Sequence, residues 1–446
     1  MNTGIKKLIK NFFKYFKYPK FLYPKTPADI FPKTPTSSLR VRARLFGLEQ
    51  EQRDRNIAFN LGALHTQPHS TALKSYQLFL KYNPNHLGNW SCKVPKGGTE
   101  QLEYEIIQKM ANLYHIQKQK VGGYITSGGT EGNIYSLWMG RSYLEKFCAK
   151  DTICLIKTDL THYSIVKAGN ICNINQFTTP LSTLNWNMNT KDLSRTIKNL
   201  YENGYRGFLL PLTIGYTSTG TQDNIQKITE EIRKLKKELK NTYFFIWIDA
   251  ALNGLIEPFI NPDFKPFLSP LIQTIVVDFH KFGMVPYGAG IVIYRHNLRK
   301  KVERDIDYLE EKDSTLLGSR QGASAVSIWM IIHRLGISGF KNYVIQQLKN
   351  KKYFIESIKN IFPETEIITH KNSLTCGVTF HSLKNQRLPR HFEDKYWLYP
   401  GKVRLSFQNN IQKSQIIYKF FFLPHLEKRI LKKLFFELGR WYHFTN

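Results

Sequence analysis

Acidic residues, cysteines and long apolar runs are what this chain has least of. Its 446 residues hold 34 Asp and Glu against 64 Lys and Arg, a formal net charge of +30. The few cysteines (Cys92, Cys148, Cys154, Cys172 and Cys376) are odd in number and form no CxxC pair. That argues against a disulfide framework or a structural zinc site, and it predicts a reducing compartment. No stretch reads as the unbroken apolar run of roughly 20 residues that a bilayer-crossing helix needs. The N-terminus lacks the apolar core and small-residue cleavage site of a secretory leader. A cytoplasmic globular protein without a metal site is the expectation. The positive field invites nucleic acid. The lysines are spread along the chain, however, and neither an RNP motif nor a zinc-finger spacing occurs, so no specific nucleic-acid partner is expected.

What is present supports a large core. Hydrophobic residues make up 42% of the chain and aromatics 14%, and the length allows roughly two or three domains. Residues 1–28 contain no acid. There Ile5, Leu8, Ile9, Phe12, Phe13 and Phe16 recur at helical spacing between lysines, which predicts an amphipathic basic helix. Packing on a partner subunit or on the protein's own body is the favoured reading; weak membrane-surface contact through residues 5–17 is the alternative. Pro19, Pro24, Pro27, Pro32 and Pro35 then predict an extended linker.

From about residue 98, helical and apolar-strand patterns alternate. Helices are predicted at Glu100–Tyr114, Gly132–Phe147 and Ile225–Lys240. Strands are predicted ending at Tyr124–Thr126 and over Thr152–Lys157, Gly207–Thr213, Tyr243–Asp249 and Thr274–Asp278. This alternation implies an α/β fold with a mostly parallel sheet and right-handed crossovers. Beyond Gly336 a smaller unit is expected, with a helix over Phe340–Ile361 and a strand ending near Arg404–Phe407. The basic amphipathic tail Gln412–Arg440 reads as a packed helix. The expected division is 1–95 as a basic arm, linker and dimerisation segment, 96–335 as the large domain and 336–446 as the small C-terminal domain.

Four motifs fall at strand ends, where open α/β sheets bind ligands. Thr126-Ser127-Gly128-Gly129-Thr130-Glu131-Gly132-Asn133 opens a helix, whose free N–H groups suit an anion. Such a turn can also be purely structural, and it is neither a Walker loop nor GxGxxG. Thr161-His162-Tyr163-Ser164 offers an imidazole that could stack on a planar ring or simply sit in the core. Asp249, ending the apolar strand before Ala250-Ala251, must have a partner: a helix cap, a buried ion pair or a cofactor's ring nitrogen. Lys281, in Val277-Asp278-Phe279-His280-Lys281-Phe282-Gly283, leaves a strand into a glycine turn, where desolvation can prepare an amine nucleophile.

A phosphate cradle, a stacking histidine, a ring-nitrogen acid and a lysine nucleophile together match pyridoxal phosphate. The segments "TSGGTEGN", "THYSIVKA", "DAALNG", "HKFG" and "IDYLEEKDSTLLGSRQG", over about residues 80–335, resemble the group II pyridoxal-phosphate-dependent amino-acid decarboxylases, most closely the histidine and serine decarboxylase type. The resemblance implies the aminotransferase-like fold (fold type I) of the PLP-dependent transferases, with a small C-terminal α+β domain. It implies Lys281 as the Schiff-base lysine, Asp249 on the pyridinium nitrogen, His162 stacked on the ring and Ala251 beneath it. Gly128, Gly129, Thr130 and His280 would hold the phosphate, and Thr217 would support Asp249. Tyr308 resembles the mobile-loop residue that protonates substrate carbon. Arg320 and Arg404 are candidate substrate contacts, and Asn83, Asn85, His86 and Asn89 are candidate side-chain readers. A homodimer is implied as well.

One position departs from the pattern. Asp278 stands where histidine and serine decarboxylases carry Ser, and it resembles the "DxHK" of sphingosine-phosphate lyases and of archaeal tyrosine/aspartate decarboxylases. An acid near a phosphate must turn toward a cation or take a proton. The leading reading is decarboxylation of an L-amino acid, histidine- or serine-like, to its amine and carbon dioxide. A PLP carbon–carbon lyase is the second reading, and a non-catalytic basic scaffold for RNA or membranes the third.

Overall fold

The computed structural model describes residues 31–86, 95, 97–117, 120–307 and 311–445. The proposed basic helix over residues 5–17, together with Asn89, Cys92 and Tyr308, lies outside the described residues. The chain divides at Asn60 into two compact units. The first contributes helix α1 (Ser38–Asp54), which carries Arg40, Arg42 and Arg44 and leaves Leu39, Val41 and Leu45 exposed. Residues 31–37, where the proline-marked linker was expected, form neither helix nor strand.

The second unit begins with helices α2 (Ser70–Leu80) and α3 (Gly98–Leu113). Its main sheet has seven strands: β1 (Val121–Thr126), β2 (Ile153–Lys157), β3 (Asn175–Thr178), β4 (Gly207–Thr213), β5 (Tyr243–Asp249), β6 (Ile272–Asp278) and β7 (Gly290–Arg295). They lie in the order β1-β7-β6-β5-β4-β2-β3. Every pairing is parallel except the two made by β7. Helices α4 (Gly129–Leu144), α5 (Tyr163–Ile171), α6 (Thr190–Glu202) and α7 (Ile225–Glu238) connect the strands. The sequences of β4 (GFLLPLT) and β5 (YFFIWID) are almost wholly apolar because helices cover both faces of a parallel sheet, and nearly every residue in them is buried. Pro211 is tolerated within β4 because β2 pairs with that strand only as far as Leu209, so no ladder donor is missing on that side.

Since β7 is antiparallel to both neighbours, β1 runs the same way as β2, β4, β5 and β6. All five strands therefore deliver their C-terminal ends, and the motifs that follow them, to one edge.

Helix α8 (Ala323–Ile361) follows the main sheet. It is long and apolar enough to cross a bilayer by composition alone. Gly336 adopts φ 57° and breaks it, and residues on both sides of the break are buried in the protein. A four-stranded antiparallel sheet comes next, β8 (Glu366–Ile368), β9 (Thr375–Thr379), β10 (Gly401–Ser406) and β11 (Gln412–Phe421), in the order β8-β9-β11-β10. The tail expected to be one helix thus splits: Gln412–Phe421 is a strand, and only α9 (Lys428–Thr445) is helical. The apolar run Ile416, Ile417, Tyr418, Phe420, Phe421 is rich in β-branched and aromatic residues, which favour a strand. Its lysines and glutamines imitate a polar helical face.

Candidate active site

At the shared edge a cavity of about 310 Å³ opens, lined by residues from every one of the four motifs. Gly128, Gly129, Thr130, His162, Thr217, Asp249, Ala251, His280 and Lys281 all line it. The start of α4 is shaped for close approach. Gly128 caps it at φ 152°, and a Cβ there would lie 3.1 Å from His280 Cε1.

Asp249 is buried at the end of β5. Its Oδ2 accepts from Asn133 Nδ2 at 2.9 Å, and its Oδ1 accepts from the Ala251 amide at 3.2 Å. The support expected from Thr217 therefore comes from Asn133, while Thr217 contributes to the cavity wall. His162 is the N-cap of α5, its ring accepting the Ser164 N–H, and it lines the cavity.

Lys281 Nζ lies 2.8 Å from Asp278 Oδ2. Burial pulls the Lys281 ammonium down, but the Asp278 carboxylate outweighs burial and holds it above the ordinary lysine value. This answers the question raised by Asp278: the acid turns toward a cation. Its Oδ1 has no hydrogen-bond partner among the described residues.

His280 stacks on Tyr287, with ring centroids 4.4 Å apart, and Tyr287 donates its hydroxyl to Leu64 O at 2.6 Å. Burial lowers the His280 pKa against the opposing pull of Asp278. Its Nδ1 is buried without a hydrogen-bond partner among the described residues. Tyr287 lines the cavity too; in sequence it carries no signal beyond lying six residues after Lys281.

These groups fit pyridoxal phosphate. An orphaned imidazole nitrogen, beside a helix N-terminus whose glycines leave the backbone bare, suits a phosphate. Lys281 and Asp249 supply the amine and the acid that the aldehyde and the ring nitrogen call for.

The tentative substrate contacts fall elsewhere. Arg320 and His86 belong to a buried ion-pair network. Arg320 Nη1 donates to Glu103 Oε1, Nη2 donates to Oε2 at 3.2 Å, and His86 Nδ1 lies 3.4 Å from Oε2. Burial pushes the Glu103 carboxyl up, but Arg320 and His86 overcome it and hold it at about 2. Glu103 also accepts the Ile125 N–H at 2.7 Å, so the network fixes the end of β1 just ahead of the glycine turn. Asn83 and Asn85 are exposed, as is Arg404 on β10, and none of the three lines the cavity. An Arg320→Ala variant would strand a buried carboxylate. It is expected to lose about 3–5 kcal/mol of stability in denaturant titration, and a loss below about 1 kcal/mol would show the pair to be dispensable.

Residues 95–382 match the pyridoxal-dependent decarboxylase conserved domain. The tryptophan decarboxylase of Clostridium sporogenes is 29% identical over 366 residues, 80% of this chain and 83% of that protein. Serine decarboxylase 2 of Oryza sativa subsp. japonica is 30% identical over 311 residues, 70% of this chain and 63% of that protein. The crystal structure of L-methionine decarboxylase from Streptomyces sp. 590 superposes with a TM-score of 0.78 at 16% identity, covering 94% of this chain and 98% of that one, a likeness of fold. The chain belongs to the pyridoxal-dependent decarboxylase family. It is a pyridoxal-phosphate-dependent carboxy-lyase that acts on amino acids.

Proposed function

We propose that this enzyme decarboxylates a small polar L-amino acid, of the histidine or serine type, and that it works as a cytoplasmic homodimer. The observation that carries the reading is the convergence of Lys281, Asp249, His162 and the Gly128–Thr130 turn on one cavity. The volume, about 310 Å³, is at the lower end for ligand pockets and has to accept cofactor and substrate together. Serine decarboxylase 2 at 30% identity supports a serine-type substrate, and tryptophan decarboxylase at 29% supports an aromatic one to the same degree.

When bound, pyridoxal phosphate supplies an aldehyde for an amine and a ring that accepts the electron pair left by departing carbon dioxide. The start of α4 and His280 would bind its phosphate, and Asp249 would keep a proton on its ring nitrogen. Lys281 must lose a proton to act as a nucleophile; Asp278 Oδ2 at 2.8 Å orients its Nζ but favours the charged form, so that proton leaves against the pull of Asp278. His162 would cover one face of the ring and help to exclude water. Pairing with Lys281 gives Asp278 a local role that either reaction could use, and the decarboxylase family match is what favours decarboxylation over carbon–carbon cleavage.

The test is an absorbance spectrum of the purified protein with pyridoxal phosphate, followed by a panel of amino acids. A visible band that changes with histidine or serine, with release of carbon dioxide and the amine, is the expected result. An aldehyde product would point instead to carbon–carbon cleavage. A protein that stays colourless with added cofactor would overturn the assignment.

A further inference from the structure

Asn133 sits in the first turns of α4 and is fully buried. Trp247 Nε1 donates to its Oδ1 at 3.1 Å. An indole N–H can only donate, so the carboxamide oxygen must face Trp247 and the amide nitrogen must face the opposite way. That nitrogen donates to Asp249 Oδ2 at 2.9 Å and to Ser164 Oγ at 3.1 Å, which uses both of its protons. The Ser164 hydroxyl, having accepted one, turns its own proton to His162 Nδ1 at 2.8 Å. The Ser164 backbone N–H reaches the same nitrogen at 3.3 Å. With two donors aimed at it, Nδ1 is an acceptor, and the neutral imidazole carries its proton on Nε2. No hydrogen bond from Nε2 occurs among the described residues, and the ring lines the cavity.

We infer that Asn133 is a positioning residue that, through Ser164, fixes His162 as its Nε2–H tautomer, so that the ring offers a hydrogen-bond donor to an oxygen of the bound substrate while the same carboxamide holds Asp249. The identity of that oxygen, a carboxylate oxygen of an amino acid, rests on the function proposed above; the tautomer does not.

The surroundings agree. Burial lowers the His162 pKa, and Lys281 and Lys167 add to that effect, while Asp249 and Asp278 oppose it. The Tyr163 ring lies 4.4 Å from the imidazole. The net effect favours the neutral ring, the state in which the tautomer matters.

The experiment is nitrogen NMR of the 15N-labelled full-length enzyme, with and without pyridoxal phosphate, His162 being assigned by its loss in His162→Gln. At pH 7, His162 should show an unprotonated Nδ1 and a protonated Nε2. Ser164→Ala removes one donor to Nδ1 and should raise the His162 titration by about one unit, since bonding to the neutral form disfavours the charged one. Ser164→Thr should restore it. Asn133→Asp turns a donor into an acceptor, draws the hydroxyl away from Nδ1 and should raise the titration further. A protonated Nδ1 in the wild type, or a titration indifferent to Ser164→Ala, would overturn the inference. If Asn133→Asp does not fold, the two Ser164 variants decide the matter. Because the readout is the ring itself, a correct tautomer in a protein without decarboxylase activity would count against the proposed function alone.

Discussion

Lys281→Ala is expected to lower turnover by about 10⁴–10⁶-fold, the range that follows removal of a covalent nucleophile. The visible band of the bound cofactor should vanish with it. The structure adds a second consequence. Asp278 is 3% exposed and its Oδ2 has Lys281 Nζ at 2.8 Å, so the variant leaves a buried carboxylate without its cation. A loss of about 3–5 kcal/mol of stability is therefore expected alongside the loss of chemistry. Adding Asp278→Asn should recover most of that stability and none of the turnover. The four proteins form a cycle that separates Lys281 the counter-ion from Lys281 the nucleophile. Turnover within about tenfold of the wild type in Lys281→Ala would remove this lysine from the chemistry, because one tenfold step is only about 1.4 kcal/mol of barrier.

The second large effect is expected at Asp249. Asp249→Asn keeps the shape, although its single acceptor oxygen can retain only one of the two bonds that hold the native carboxylate, that from Asn133 Nδ2 or that from the Ala251 amide. What it removes is the negative charge that would favour a protonated ring nitrogen. A loss of about 10²–10⁴ in kcat is expected, the usual scale for a group that governs a proton in the transition state. Cofactor should still load, since Lys281 and the glycine turn are untouched. Measurement of kcat beside the cofactor spectrum decides it: full loading with near-normal kcat would mean that the ring nitrogen does not depend on this acid. Asp249→Ala would be less informative, because it also frees the Asn133 carboxamide and, through Ser164, disturbs His162.

Much of the large sheet was legible because its strands are short apolar runs set between charged helices. Gly207–Thr213 and Tyr243–Asp249 coincide with the expected limits, and α4 begins three residues before its expected start because Gly128 caps it. The residues that meet at the cavity were legible for a different reason. Each lies at or within a few residues of a strand's C-terminal end, and parallel strands bring such positions together whatever lies between. What could not be read depends on pairings distant in sequence. Asn133 meets Asp249 across 116 residues, and Glu103 meets Arg320 across 217. No local pattern distinguishes a hub asparagine from an ordinary helical one. Arg320 was a candidate ligand contact through the family resemblance alone, and the acid that pairs with it sits on α3. β11 failed as a helix because period and composition disagreed, and tertiary pairing with β9 and β10 decided in favour of the strand.

His162 is at once the cap of α5 and a wall of the cavity. A cap is the weakest-held part of a helix, where opening takes the least free energy. Melting of that first turn and swinging of the imidazole are therefore one event. By mass action, whatever binds against the ring also tightens the end of the helix, and whatever loosens the helix end weakens that binding by the same free energy. Local order in α5 and occupancy of the site thus rise and fall together, although the helix lends only one side chain to the cavity wall beyond its cap.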